Sequence, residues 1–156
     1  MRPDTGQQSW YASSMSRGVI VKLSIAINAP VAKVWAALVS PEMIKKYLFG
    51  TDVVSDWKQG SPIVFRGEWQ GTIYEDKGVI LRLEPERLIQ YSHWSNLSGL
   101  PDTPENYHVV TFELAGERSG TRLSLSQDNQ PDEESREHSR KNWETVLATL
   151  KRLLEQ

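Results

Sequence analysis

The chain has no cysteine among its 156 residues. Disulfides, thiol catalysis and cysteine metal ligands are excluded together, and the absence fits a reducing compartment, with the cytoplasm as the expected location. Long apolar runs are missing too. No stretch approaches the roughly 18 apolar residues of a spanning helix, and the first residues lack the apolar segment of a secretory peptide, so no membrane insertion is expected. An excess of either charge is also lacking. Eighteen Lys and Arg stand against 20 Asp and Glu, a net charge of -2 without a basic cluster, which offers nucleic acid no surface.

Catalytic patterns are equally scarce. The three histidines, His93, His108 and His138, lie on separate segments without metal-ligand spacing. His138 falls off the apolar side of its segment, whereas His93 and His108 flank one loop from neighbouring strands and can meet at a pocket mouth. Gly60, Gly67, Gly71 and Gly78 punctuate strands rather than open a helix, so no phosphate loop is present, and no serine sits in GxSxG. Glu68, Glu75, Asp76 and Glu84 are spread along two strands, where alternating carboxylates read as a solvated face. The sequence names no catalytic residue, no metal and no cofactor, and binding is expected ahead of catalysis.

What is present is a patterned chain, 38% hydrophobic and 24% charged. Residues 1–17 are polar and aperiodic, which predicts a disordered tail with Met15 as a candidate true start; residues 18–156 are expected to form a single domain. From Val19, Val21, Leu23, Ile25 and Ile27 alternate with polar or small residues, the period of a half-buried strand. Asn28-Ala29-Pro30 ends it and opens a helix in which Val31, Val34, Trp35 and Leu38 recur. Ser40 and Pro41 then cap a second short helix carrying Met43, Ile44 and Tyr47.

Six further strands follow at Thr51 to Ser55, Pro62 to Trp69, Thr72 to Glu84, Arg87 to Trp94, Tyr107 to Ala115 and Thr121 to Gln127. Turn residues such as Gln70-Gly71 and Glu84-Pro85-Glu86 separate them, and Asp76-Lys77-Gly78 marks an expected bulge or bend. Ser95 to Asn106 is the one long connection; Gly99, Pro101 and Pro104 deny it regular structure, and it is a candidate lid.

The last stretch, Pro131 to Gln156, reads as one amphipathic helix about 36 Å long. Pro131 suits its first position, and Asp132, Glu133 and Glu134 suit the positive end of its dipole. Trp143, Val146, Leu147, Leu150, Leu153 and Leu154 form an apolar stripe. Traced backwards, the same stripe meets Ser139, Arg136 and Ser135. A face that is apolar at one end and polar at the other implies a cavity beneath it. The expected architecture is α+β: a curved antiparallel sheet of about seven strands around the long C-terminal helix, with two short helices between strands 1 and 2.

This order, with Ala29-Pro30-Val31-Ala32-Lys33-Val34-Trp35-Ala36-Ala37-Leu38-Val39-Ser40-Pro41-Glu42, Gly78-Val79, Tyr91-Ser92-His93-Trp94, Gly120-Thr121-Arg122-Leu123 and Trp143 with Leu147 and Leu150, resembles the START-like (Bet v 1-like, SRPBCC) superfamily. Within it, the chain is similar to the activator of heat-shock protein 90 ATPase homologue-like group from about Val19 to Glu155. It departs from the group at Asn142, where glycine is common, and at Tyr47, where tryptophan is common. The resemblance implies a helix-grip fold enclosing a pocket for a hydrophobic or aromatic small molecule, lipid-like or a metabolite.

Tyr47, Phe49, Trp69, Trp94 and Trp143 are the aromatic candidates for its wall, with Arg136 and Ser139 orienting the ligand. Two other readings go with the same fold: a chaperone-regulating interaction module, and an enzyme of the polyketide cyclase or aromatase type. A monomer or weak dimer is expected.

Overall fold

The computed structural model describes residues 18–156; the tail over 1–17, and Met15 as a start, lie outside the described residues. Chain order is β1 (Val19–Ile27), α1 (Val31–Leu38), α2 (Pro41–Tyr47), β2 (Asp52–Ser55), β3 (Pro62–Trp69), β4 (Thr72–Glu84), β5 (Leu88–His93), β6 (His108–Glu117), β7 (Gly120–Gln130) and α3 (Glu133–Leu154). The strands form one antiparallel sheet in the order β1-β7-β6-β5-β4-β3-β2. Hairpins carry the chain from β2 to β7, and the two short helices let β1 close on β7. The architecture is the α+β helix-grip arrangement that the pattern predicts.

Local chemistry sets the boundaries. Ser40 accepts the Met43 N–H on its Oγ at 3.3 Å with Pro41 in the first turn, a capped start for α2. Gln70 and Gly71 both have positive φ, 50° and 83°, which a two-residue hairpin turn between right-twisted strands requires. Gly78 serves close approach: a Cβ there would fall 1.6 Å from the Ser92 carbonyl oxygen. Pairing with β3 runs unbroken through Asp76-Lys77-Gly78, however, and the irregularity falls between Ile80 and Arg82. The bulge expected at the glycine is therefore displaced a few residues along β4.

Strand β7 reaches Gln130, three residues past its predicted end. A register shift between Val19 and Val21 keeps its polar tail paired with β1, and Asn129 adopts φ 58° where the strand turns.

Helix α3 starts at Glu133, two residues later than Pro131 suggests. Asp132 is the N-cap, its Oδ1 accepting the Ser135 N–H at 2.8 Å, because a carboxylate can satisfy a free helical amide and a proline ring cannot. Val146, Leu147, Leu150 and Leu154 are buried on the stripe, with Trp143 and Leu153 packed beside them. The far end is tied down by lysines on its carbonyl side: Lys33 Nζ donates to the Leu154 carbonyl at 3.0 Å and Lys151 Nζ to that of Ala26 at 2.8 Å. The Asn28 N–H donates to Glu155 Oε2 at 2.7 Å, closing the same corner. These contacts fix α3 across the inner face of the sheet, mainly over β1.

Candidate functional site

Register decides which side chains face α3. On β3 and β4, Phe65 and Asp76 are direct partners, as are Gly67 and Tyr74, and share the inner face. On β5, Ile89, Tyr91 and His93 point inward, since Ile89 pairs with Phe112 and Tyr91 with Val110. Between this half of the sheet and the helices lies an apolar cavity. Leu38 from α1, with Ile44, Tyr47 and Leu48 from α2 and its end, form one wall. Ile63, Phe65, Ile89, Tyr91 and Phe112 form the sheet wall, and Trp57 and Trp143 complete it.

The cavity has a free volume of about 30 Å³, room for about two waters. Its wall is not uniform in burial: Leu48, Trp57 and Trp143 are half-buried while the sheet residues are buried. Trp57 also holds a left-handed backbone, φ 55°, with its N–H donated to Ser55 Oγ at 3.1 Å. A bulky residue in that region is strained, so this indole is held over the cavity at an energetic cost.

Polar groups ring the apolar wall. Tyr47 donates to the Ala37 carbonyl at 3.0 Å, and burial pushes its phenol pKa far up, with Tyr91 adding to the effect. Burial also raises the Tyr91 phenol, and the Asp76 charge raises it further. His93 Nε2 and Asp76 Oδ2 are 3.1 Å apart, and Phe65 packs 5.4 Å from both the His93 and Tyr91 rings. His93 and His108 are directly opposite in register, the adjacency that their places in the sequence imply, but each has its own partner: Asp76 for the first, the Asp128 carbonyl at 2.9 Å for the second.

Of the carboxylates, Glu68 and Glu75 lie on the outer face. Glu75 pairs there with Arg66, and Glu84 pairs with Arg82 and Arg87. Asp76 is the one that turns in.

The residues picked out from the sequence separate into two groups. Tyr47 and Trp143 line the cavity. The Trp143 indole N–H donates to Gln127 Oε1 at 2.6 Å, and its ring meets Phe112 edge-on at 5.9 Å. Arg136 stands two helical turns and Ser139 one turn before Trp143; Ser139 donates to Gln130 Oε1 at 3.1 Å, and Arg136 Nη2 meets Glu133 at 2.7 Å.

Phe49, Trp69 and Trp94 are elsewhere. Phe49 is 52% exposed, thrown outward by a left-handed backbone at the end of α2, and Trp69 is 55% exposed at the tip of the β3–β4 hairpin. Trp94 is one residue out of step with His93 and so faces the outside. There it stacks on Tyr107 at 6.4 Å, lies 5.8 Å below Lys77 Nζ and donates to the Leu100 carbonyl at 3.2 Å.

The loop that Trp94 opens is strapped to the same outer side. Asp102 takes Lys77 Nζ and the Tyr107 hydroxyl, each at 2.5 Å, and a 3₁₀ turn at Pro104–Asn106 supplies regular structure that its prolines do not suggest. None of its residues lines the cavity, so in this structure it is no lid. The sequence reading missed Trp57, Phe65 and Tyr91 as wall residues; strand parity with Ile63 and Ile89 is the signal that places the last two.

Among the described residues no group of three or more acidic or histidine side chains is placed to hold a metal ion, and no helix is long and apolar enough to cross a membrane.

Comparison with known proteins agrees with this geometry. The family model described as Activator of Hsp90 ATPase homolog 1-like protein matches residues 28–155. The solution structure of ChR145 from Cytophaga hutchinsonii is 53% identical, with a TM-score of 0.80, over 90% of this chain and 97% of that one. Protein CV1439 from Chromobacterium violaceum is 26% identical, with a TM-score of 0.72, over 88% and 97%. The Aha1 dimer from Colwellia psychrerythraea, at 20% identity and a TM-score of 0.71 over 88% and 95%, shares the fold. No curated protein matches the chain.

Proposed function

The chain belongs to the Activator of Hsp90 ATPase homolog 1-like protein family, and from that premise we propose that it binds a hydrophobic or aromatic small molecule between the sheet, α2 and α3. The observation that carries this reading is the wall itself: eleven side chains, all apolar or aromatic, enclose a void rather than fill it. The void is far below the roughly 300 Å³ of an ordinary ligand site, so binding requires the wall to open. The half-buried Leu48, Trp57 and Trp143 are the parts able to move, and strain at Trp57 lowers the cost of releasing it. Arg136 and Ser139, on the same helix face as Trp143, orient the ligand at the mouth.

Thermal melting and tryptophan emission of ligand-stripped protein with fatty acids and aromatic metabolites test this. A bound ligand raises the melting temperature and shifts the emission of Trp57 and Trp143. Flat responses across the panel, together with unchanged emission, overturn the reading.

A second reading, regulation of a chaperone through surface contact, draws on Trp69 and Ile73 at the β3–β4 tip, 55% and 76% exposed. Co-purification with Hsp90 that is lost on Ile73→Ser and Trp69→Ser favours it.

A further inference from the structure

At the polar end of α3, two buried donors have no acceptor. Gln130 is 4% exposed; its Oε1 receives the Ser139 hydroxyl, which leaves Nε2 unpaired. Arg136 lies one turn before Ser139 on the same face, and its Nε is buried and unpaired while Glu133 occupies Nη2. Burying a hydrogen-bond donor without a partner is costly, more so when it is charged, and such groups ordinarily find one. Here both missing partners are acceptors, and one of the two donors carries a positive charge.

The corner adjoins the cavity through Trp143, which lines its wall. Ser139 is four residues before Trp143, about one helical turn or roughly 6 Å along α3. Gln130 is likewise three residues beyond Gln127, which holds the Trp143 indole. A molecule rising past Trp143 from the apolar wall therefore meets these donors first.

We propose that Gln130, Arg136 and Ser139 form a carboxylate-binding corner, and that the cavity's ligand is an amphipathic carboxylic acid whose apolar body lies against Phe112 and Trp143. The inference rests on the pocket reading above and adds Gln130, which no pattern in the sequence singles out. A carboxylate suits the corner better than a neutral carbonyl. It offers two oxygens with about four acceptor positions, and charge-assisted hydrogen bonds from a guanidinium are about twice as strong as neutral ones. The Glu133 contact holds the guanidinium in place without consuming its Nε edge.

The test compares decanoate with methyl decanoate, which share an apolar body and differ in the charged end, using tryptophan emission on the full chain. Decanoate is expected to bind at least tenfold more tightly. Arg136→Gln removes that margin, bringing decanoate to the affinity of methyl decanoate. Gln130→Leu keeps the positive charge, so loss of the margin there separates the built corner from general attraction to Arg136. Gln130→Glu covers the case in which leucine disturbs folding: the new carboxylate satisfies Arg136 and Ser139 internally and repels decanoate.

Equal binding of the two ligands, or a margin that survives Arg136→Gln and Gln130→Glu, overturns the corner and leaves the apolar pocket standing. Failure of both ligands to bind overturns the pocket and the corner with it.

Discussion

The two halves of α3 share one helical periodicity and differ in everything else. From Val146 onward the inward positions are buried aliphatics set against the sheet, and Leu150 is 0% exposed. From Ser135 to Ser139 the same positions are a serine, a half-buried arginine and another serine. One face therefore anchors the fold at one end and presents hydrogen-bond donors at the other. The sheet beneath follows suit, with Leu123 and Leu125 giving way to Gln127 and Gln130 along β7. Apolar periodicity reports that a helix packs; it does not report that the whole face is core.

The comparison breaks most readily at its apolar end. Leu150→Ala removes a fully buried side chain from beneath the sheet and should cost roughly 2 to 5 kcal/mol, read from urea unfolding. A loss below about 1 kcal/mol means that this half is not the anchor. Trp143 stands at the boundary and should give an intermediate result. Trp143→Phe keeps a ring beside Phe112 but deletes the indole N–H, leaving Gln127 Oε1 buried without its donor, a cost of about 1 to 3 kcal/mol. It should also change ligand affinity, because the indole lines the cavity.

At the polar end the order of effects reverses. Arg136→Gln and Ser139→Ala should each change unfolding stability by about 1 kcal/mol or less, since Arg136 is partly exposed and already donor-rich, while ligand affinity moves severalfold. If either variant unfolds as easily as Leu150→Ala, the two halves do not differ as described.

Much of this was legible beforehand, for physical reasons that also mark where legibility ends. Strand alternation in Val19 to Ile27 and the helical stripe from Trp143 to Leu154 are forced by burial on one side, so both can be read directly. Tyr47 and Trp143, picked out for their places near an element end and beside the polar half-stripe, do line the cavity. Phe49 and Trp69 were misplaced because being aromatic does not fix the side on which a ring emerges. A left-handed backbone turns Phe49 away, and the hairpin carries Trp69 out to its exposed tip. Trp94 failed by a single step of strand parity. Gln130 was hidden in what resembles a loop, because the β1–β7 register shift that extends the strand breaks the alternation that would have revealed it.

The smallest effect tests why the polar half is helical at all. With few apolar side chains to bury, its start depends on end effects, and Asp132 supplies them. The Ser135 N–H, then the Ser135 hydroxyl, hold the Asp132 carboxyl below the ordinary carboxylate range. A carboxylate with a depressed folded pKa stabilises the fold at pH values above its unfolded value, near 3.9, and loses that contribution as pH falls through the lower folded value. Asp132→Asn keeps a capping oxygen but removes the charge that faces the helix dipole. The parent should therefore melt slightly above the variant at neutral pH, and the gap should close as pH drops below about 4. A gap that stays constant across that range assigns the cap to hydrogen bonding alone. The polar half would then owe its helix to the anchored half behind it, and the difference between the two would be one of dependence as well as chemistry.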